Sequence, residues 1–461
     1  FVWLGRKVSN EAGHRIKQLH LGGVEVIKEP KRVYPGGESL AHVLGFAGLD
    51  HLGLEGLELT LDEYLRGRSG WRWLQRDAKQ RRLEAWTRDA IPPRHGFDVV
   101  LTIDQVLQHV AERALEASFE KHNAKGASVV VLDPRTGEVL AMASRPSYNP
   151  NRPGVFPMAS RRNRAVTDTF EPGSVFKVVT ASAALEDEVV SLTDTIDCEQ
   201  GKFKIGRRIL KDVKPHGELT FARVVEVSSN IGVAKTAMRL GKEPLYRNIR
   251  EFGFGKKTGI ELPGEVSGWT KHPSEWSGTS IWNVSMGQEV TVTTLQLAAM
   301  IAAVANDGWL MRPWLIKEIK DGRGQVIQRG KPKRIHRAID RSVADDLKVV
   351  LEGVVERGTG RRAAIAGVRV AGKTGTAQKV VDGAYSHSHF VGSFIGFAPV
   401  ENPRLAVAVM VDDSRPYYYG GTVAAPVFRE IVDRGLSYLE QRGAVSNSSE
   451  SLRTGWQHEA R

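Results

Sequence analysis

The chain reads as an α+β protein, an antiparallel sheet flanked by helices and preceded by a smaller N-terminal domain. Three observations predict this. Apolar runs at residues 365–371, 389–397 and 405–411 succeed one another across short polar gaps, the pattern of an antiparallel meander. Helical patterning stands upstream, where Leu107, Val110, Ala111, Ala114 and Leu115 share one face, and again in the apolar run that follows Pro172-Gly173. The chain's 461 residues exceed what one hydrophobic core normally serves, and Ile91-Pro92-Pro93-Arg94-His95-Gly96 marks a junction. We therefore expect a first domain over 1–97, a main domain over 98–440 and a polar, disordered tail over 441–461.

The main domain carries three short strings in order: Ser174-Val175-Phe176-Lys177, Ser228-Ser229-Asn230 and Lys373-Thr374-Gly375-Thr376. Together they are the parts of a serine acyl-transfer site. Each alone is poor evidence, because a serine and a lysine three apart recur by chance roughly once or twice in a chain of ordinary composition. A second ordered set does occur, at Ser118-Phe119-Glu120-Lys121, Ser147-Tyr148-Asn149 and Lys257-Thr258-Gly259. Local context has to choose between the two.

Ser174 follows a Pro-Gly stop and opens a helix-like run, so unpaired N–H groups and the positive end of a helix dipole lie beside it. Lys177 comes one turn later, and a buried lysine near other cations loses its proton easily enough to activate a hydroxyl. Ser118 instead ends an amphipathic helix, where Lys121 simply matches the dipole. Lys373 precedes strand-like runs, and a strand there offers its backbone to an extended peptide and its side chains to a carboxylate. Lys257 lies in a run with four glycines and a proline between Phe252 and Gly264, which is loop chemistry. Ser228-Ser229-Asn230 stands before the helical run 231–240 and is open to reading as a helix cap. Its place between the other two strings favours the site. Ser147-Tyr148-Asn149-Pro150 is more simply a turn.

With these residues in view the chain resembles the penicillin-binding proteins, and among them the class B monofunctional transpeptidases. The likeness extends to 126–142, to Asn163-Arg164-Ala165-Val166-Thr167-Asp168, to 292–298 and to Tyr418-Tyr419-Gly420-Gly421. Upstream, Tyr34-Pro35-Gly36-Gly37, His42-Val43-Leu44-Gly45-Phe46 and Gly53-Leu54-Glu55-Gly56-Leu57-Glu58 look like the family's pedestal. The resemblance implies a penicillin-binding/β-lactamase-like transpeptidase domain behind a mainly β pedestal. It also implies peptidoglycan D,D-transpeptidation through an acyl-enzyme on Ser174. Lys177, Ser228, Asn230 and Lys373 would complete the catalytic set, Thr374, Gly375 and Thr376 would bind substrate, and the backbone N–H groups of Ser174 and Thr376 would form the oxyanion hole. Val370 to Gln378 is worded most like the division-specific FtsI type, while elongation and sporulation members share much of it.

The implied ligands are stem peptides, lipid-linked precursors and β-lactams, and the implied partner is a membrane-bound polymerase of the wall machinery. No cofactor is implied. Family members carry an N-terminal anchor that places the catalytic domain outside the cytoplasmic membrane, and this chain has no run of 18 apolar residues. The rival readings are a D,D-carboxypeptidase or β-lactamase-like hydrolase, and a penicillin-binding sensor or scaffold.

The formal charge is +12, with seven basic residues against one acid from Arg66 to Arg82, a solvated hairpin or a contact for lipid or partner. No binding motif accompanies that charge, so nucleic acid is not expected. Cys198, the single cysteine, is expected to pack in the interior, and His387 and His389 to be ordinary loop residues rather than a zinc site.

Overall fold

The computed structural model describes residues 1–72, 75–76, 82–83, 90–205 and 208–458 of the chain. Its centre is a five-stranded antiparallel sheet. Helix α1 (Gln105–Lys121) leads into the hairpin β1 (Gly126–Leu132) and β2 (Val139–Arg145), and the sheet is completed from the far end of the chain by β3 (Ala371–Val381), β4 (Ala384–Ala398) and β5 (Leu405–Asp412). The order is β3-β4-β5-β1-β2. One register line crosses four strands: Thr374 faces Phe394, Phe394 faces Val409 and Val409 faces Val129. The expected meander is therefore present, with β3 left as an edge strand.

Side chains alternate across the sheet, and both faces are covered. Val129 and Val131 pack with Leu107 and Leu115 of α1 and with Phe428 and Ile431 of the last helix. Val130 and Leu132 point the other way, into a core shared with Val178 and Val179, Leu295 and Leu297, and Leu347. Burial on both sides explains why β1 is apolar at nearly every position, Gly126 to Leu132 being wholly buried. Helix α1 starts at Asp104, whose carboxylate accepts from the N–H groups of Val106 and Leu107 at 2.9 and 3.2 Å.

Three expectations need correction. The apolar run 365–371 is not a strand over its length, because Gly367 adopts φ +75 and a turn closes from Val368 N to Ile365 O at 3.3 Å. The extended strand begins only at Ala371. The last helix, Ala425–His458, continues through most of the region expected to be a disordered tail. No proline follows Pro426, so nothing removes a backbone donor from that helix. The described part of the first domain, expected to be mainly β, has helices Asn10–Gln18, Ala41–Leu44, Gly56–Thr60 and Asp62–Leu65, and its strands are two residues long. Left-handed turns at Leu40 and His51, with φ 60 and 65, break its chain into short pieces. The basic stretch from Arg66 to Arg82 lies partly outside the described residues.

The first domain is docked by polar contacts, one of them buried. Tyr34 N donates to Asn151 Oδ1 at 2.9 Å, and Tyr148 OH donates to Ala41 O at 3.1 Å.

Candidate active site

Ser174 occupies a 3-10 turn, Gly173–Phe176, that runs directly into helix α2 (Lys177–Glu186). Gly173 has φ +56, and a Cβ there would stand 2.8 Å from Thr376 O. At Gly375 an added Cβ would meet Ser393 Oγ at 2.3 Å and Pro172 O at 2.9 Å. Both glycines are needed because the backbone of the serine turn lies against the backbone of β3. The Lys-Thr-Gly-Thr string is consequently held beside the start of α2.

The middle string arrives from a helix, Phe221–Glu226, that ends just before Ser228. Ser228 has φ +63, an uncommon and strained conformation for a residue with a Cβ. Ser229 caps the next helix, α3 (Asn230–Leu240), by accepting from Gly232 N at 3.0 Å. Capping and site are thus both present in one tripeptide.

Two lysine nitrogens meet at Ser228. Lys177 Nζ donates to Ser228 O at 2.7 Å, to Ser228 Oγ at 3.3 Å and to Asn230 Oδ1 at 2.7 Å. Lys373 Nζ donates to the same Ser228 Oγ at 3.0 Å and to Thr374 O at 3.3 Å. Both lysines are 0 % exposed. Burial pushes Lys177 down to about 7, against a smaller upward pull from the Asp212 carboxylate. Lys373 is lowered well below the usual lysine value by burial and by Lys177 beside it. Two amines that share one hydroxyl in a dry site cannot both stay charged.

Ser174, Ser228, Asn230, Thr374, Gly375 and Thr376 line one cleft of about 810 Å³. Thr374 Oγ1 pairs with Thr359 Oγ1 at 2.7 Å, and Thr376 Oγ1 accepts from Gly420 N at 3.1 Å. Lys177 and Lys373 stand behind the cleft wall. Lys373 is seated inward, with its ammonium donating to Ser228 Oγ and Thr374 O.

Sequence reasoning missed Asp212. Its Oδ1 accepts from Asn230 N at 2.5 Å and Ile231 N at 3.0 Å, and its Oδ2 accepts from Ser229 Oγ at 2.6 Å. Its neighbour Lys211 offers a carbonyl to Asn230 Nδ2 at 2.9 Å. This carboxylate fixes the middle string from a loop 17 residues before Ser229, and no motif announces it. Thr359 was missed for the same reason.

The second set of strings is dispersed. Ser118 is buried and donates to Val423 O at 2.7 Å, while Lys121 is exposed. Thr258 donates from N and Oγ1 to Glu265 at 2.7 and 2.6 Å, a loop closure. Ser147 Oγ is buried away from the cleft residues. Cys198 is buried against Ser229, whose Oγ lies 3.4 Å from its sulfur. His389 Nδ1 pairs with Asp413 at 2.8 Å.

The family model described as the penicillin binding protein transpeptidase domain matches residues 127–433, and that described as the penicillin-binding protein dimerisation domain matches residues 1–101. The chain belongs to the class B penicillin-binding proteins. It is 40% identical to the stage V sporulation protein D of Bacillus subtilis, over 94% of this chain and 68% of that protein. It is 36% identical to the peptidoglycan D,D-transpeptidase FtsI of Escherichia coli K12, over 94% of this chain and 71% of that one. Penicillin binding protein 3 of Mycobacterium tuberculosis superposes with a TM-score of 0.78 at 33% identity, covering 90% of this chain and 91% of the other. Structures of that protein complexed with aztreonam and with ampicillin superpose equally well.

Proposed function

We propose that this class B penicillin-binding protein cross-links peptidoglycan stem peptides by D,D-transpeptidation through an ester on Ser174. The observation that carries the reading is the meeting of Lys177 and Lys373 at Ser228 Oγ, with Lys177 poised near neutrality. A neutral Lys177 takes the Ser174 hydroxyl proton as Oγ attacks the carbonyl between two terminal D-alanines. The oxyanion rests on the N–H groups of Ser174 and Thr376. Ser228, fed by Lys373, hands a proton to the leaving amine, the C–N bond breaks and D-alanine departs. The amine of a second stem peptide then attacks the ester, returning the serine and forming the cross-link.

β-Lactams acylate the same serine in this reading, because their strained amide imitates the D-alanyl bond. The test is labelling with a fluorescent penicillin followed by peptide mapping. The label is expected on Ser174 and nowhere else, and a label that survives Ser174→Ala overturns the reading. Rapid turnover of penicillin would mark a hydrolase, and acylation without cross-linking alongside a lipid-linked-precursor polymerase would mark a sensor.

Septal wall synthesis at the outer face of the cytoplasmic membrane is the role we assign, on the wording around Lys373-Thr374-Gly375-Thr376. Among the described residues no helix is long and apolar enough to cross a membrane. Complementation of a strain depleted of its division transpeptidase tests the assignment, and rescue of a sporulation mutant alone would replace it.

A further inference from the structure

Cross-linking brings two peptides into one cleft. The ester on Ser174 is made from a peptide laid along β3, so the attacking amine arrives over another wall. The stretch from Leu210 to His216 offers one. Leu210, Val213, Lys214 and His216 line the same cleft as Ser174. Val213 is 83% exposed, and Lys214 also stands in solvent. Neither Lys214 nor His216 has a hydrogen-bond or ion-pair partner among the described residues.

The backbone of this wall is tied down while its side chains are left free. Leu210 sits in strand Arg208–Lys211, opposite Phe203 of strand Lys202–Ile205. Asp212 N donates to Gly201 O at 3.2 Å and Cys198 N donates to Gly217 O at 2.9 Å, so both ends of the segment 212–217 are held. Between them Pro215 lies against Gly201, where an added Cβ would stand 2.9 Å from Pro215 Cα. The Asp212 carboxylate joins the segment to Ser229 and Asn230, beside the hydroxyl of Ser228 that the two lysines share. Among the described residues lining the cleft Asp212 is the sole acid, and its oxygens are already taken by Ser229, Asn230 and Ile231.

The acceptor is an amine that attacks only without its extra proton, and the second stem peptide that carries it also ends in an acid. A free carboxylate beside the amine would hold it as an ammonium ion, whereas nearby cations favour the neutral form. A wall of ammonium, imidazole and aliphatic groups suits such a ligand at both its ends. We infer that Val213, Lys214 and His216 form the acceptor subsite, holding the second stem peptide by its acid end and presenting its amine to the ester on Ser174. The amine nitrogen forms the new amide bond, the C–O bond to Ser174 breaks, and the proton lost by the amine returns to Oγ. The inference rests on the transpeptidase reading of the cleft and adds the residues that choose the second substrate.

The test follows a D-alanyl thioester donor, whose acyl-enzyme partitions between water and an added amine. Two acceptors are compared, a short peptide with one free amine and a C-terminal acid, and the same peptide with a C-terminal amide. The measurement is the ratio of aminolysis to hydrolysis, which does not depend on how fast the ester forms. With the acid acceptor it is expected to fall ~5-fold in Lys214→Gln and ~10-fold in the double variant with His216→Gln, the range for partly solvated charge contacts. Lys214→Glu should lower it further, and Lys214→Arg should restore most of it. Raising the salt should lower the wild-type ratio. With the amide acceptor the same variants should stay within ~2-fold of the wild type. An unchanged ratio in the double variant overturns the inference, as does an equal fall with both acceptors, which would mark a structural role. In either case Ser174 would still be acylated. A wild type that neither the thioester nor penicillin acylates sinks the transpeptidase reading itself, and so does an acyl-enzyme that neither amine intercepts.

Discussion

The two Ser-x-x-Lys copies share their spacing and differ in every physical respect that matters. Ser118 lies near the end of α1, its hydroxyl closed on Val423 O and its lysine in solvent. Ser174 lies in the turn that begins α2 and faces the cleft, and its lysine is sealed from water among Ser228 and Asn230. Lys177, held at about 7, is neutral about half the time at that pH. The difference lies in which helix end the serine occupies and in how dry its lysine is.

The largest effect should come from the serines themselves. Ser174→Ala is expected to abolish penicillin labelling, a loss of at least ~10³-fold in acylation rate. Ser118→Ala should leave labelling intact and cost about 1 kcal/mol in urea unfolding, because it leaves the buried Val423 carbonyl without its donor. Labelling lost in Ser118→Ala while the protein remains folded would erase the distinction.

The lysines should follow. Lys177→Met is expected to slow acylation by ~10²–10⁴-fold, the usual range for removing a general base, and Lys121→Met by nothing measurable. The wild-type acylation rate should rise with pH through an inflection near 7 and then level off, since the neutral amine is the working form and protonation below 7 removes it. A profile flat from pH 5.5 to 8.5 would remove Lys177 from the role of base.

What the sequence reveals of this contrast is the part written in local patterns. A Pro-Gly before an apolar helix locates Ser174, and the apolar runs 389–397 and 405–411 locate β4 and β5. What it hides is long-range. Nothing near Ser229 points to Asp212, because a strand, Glu218–Thr220, and a helix, Phe221–Glu226, separate the two along the chain before α3 begins. The inward turn of Lys373 was hidden for a related reason. Its neighbours Thr374 and Thr376 are polar and line the cleft, and only the position of Ser228 Oγ, set by a left-handed backbone 145 residues away, shows where the ammonium goes. The edge strand was legible, but not what stood behind it.

The smallest effect probes that hidden carboxylate. Asp212→Asn keeps the shape and still offers an oxygen to the N–H groups of Asn230 and Ile231, so α3 should stay capped. What it removes is the charge. Because Asp212 pulls Lys177 upward, its neutralisation should let burial act alone and move the acylation inflection below the wild-type position near 7. The plateau above pH 8 should fall only ~3-fold, reflecting weaker neutral hydrogen bonds to the middle string. The signature is therefore a variant that retains a larger share of its own maximum at acidic pH than the wild type does. An inflection that stays put, or moves upward, would show that Asp212 acts on Ser229 and Asn230 by position alone and that the dryness of Lys177 needs no charge to balance it.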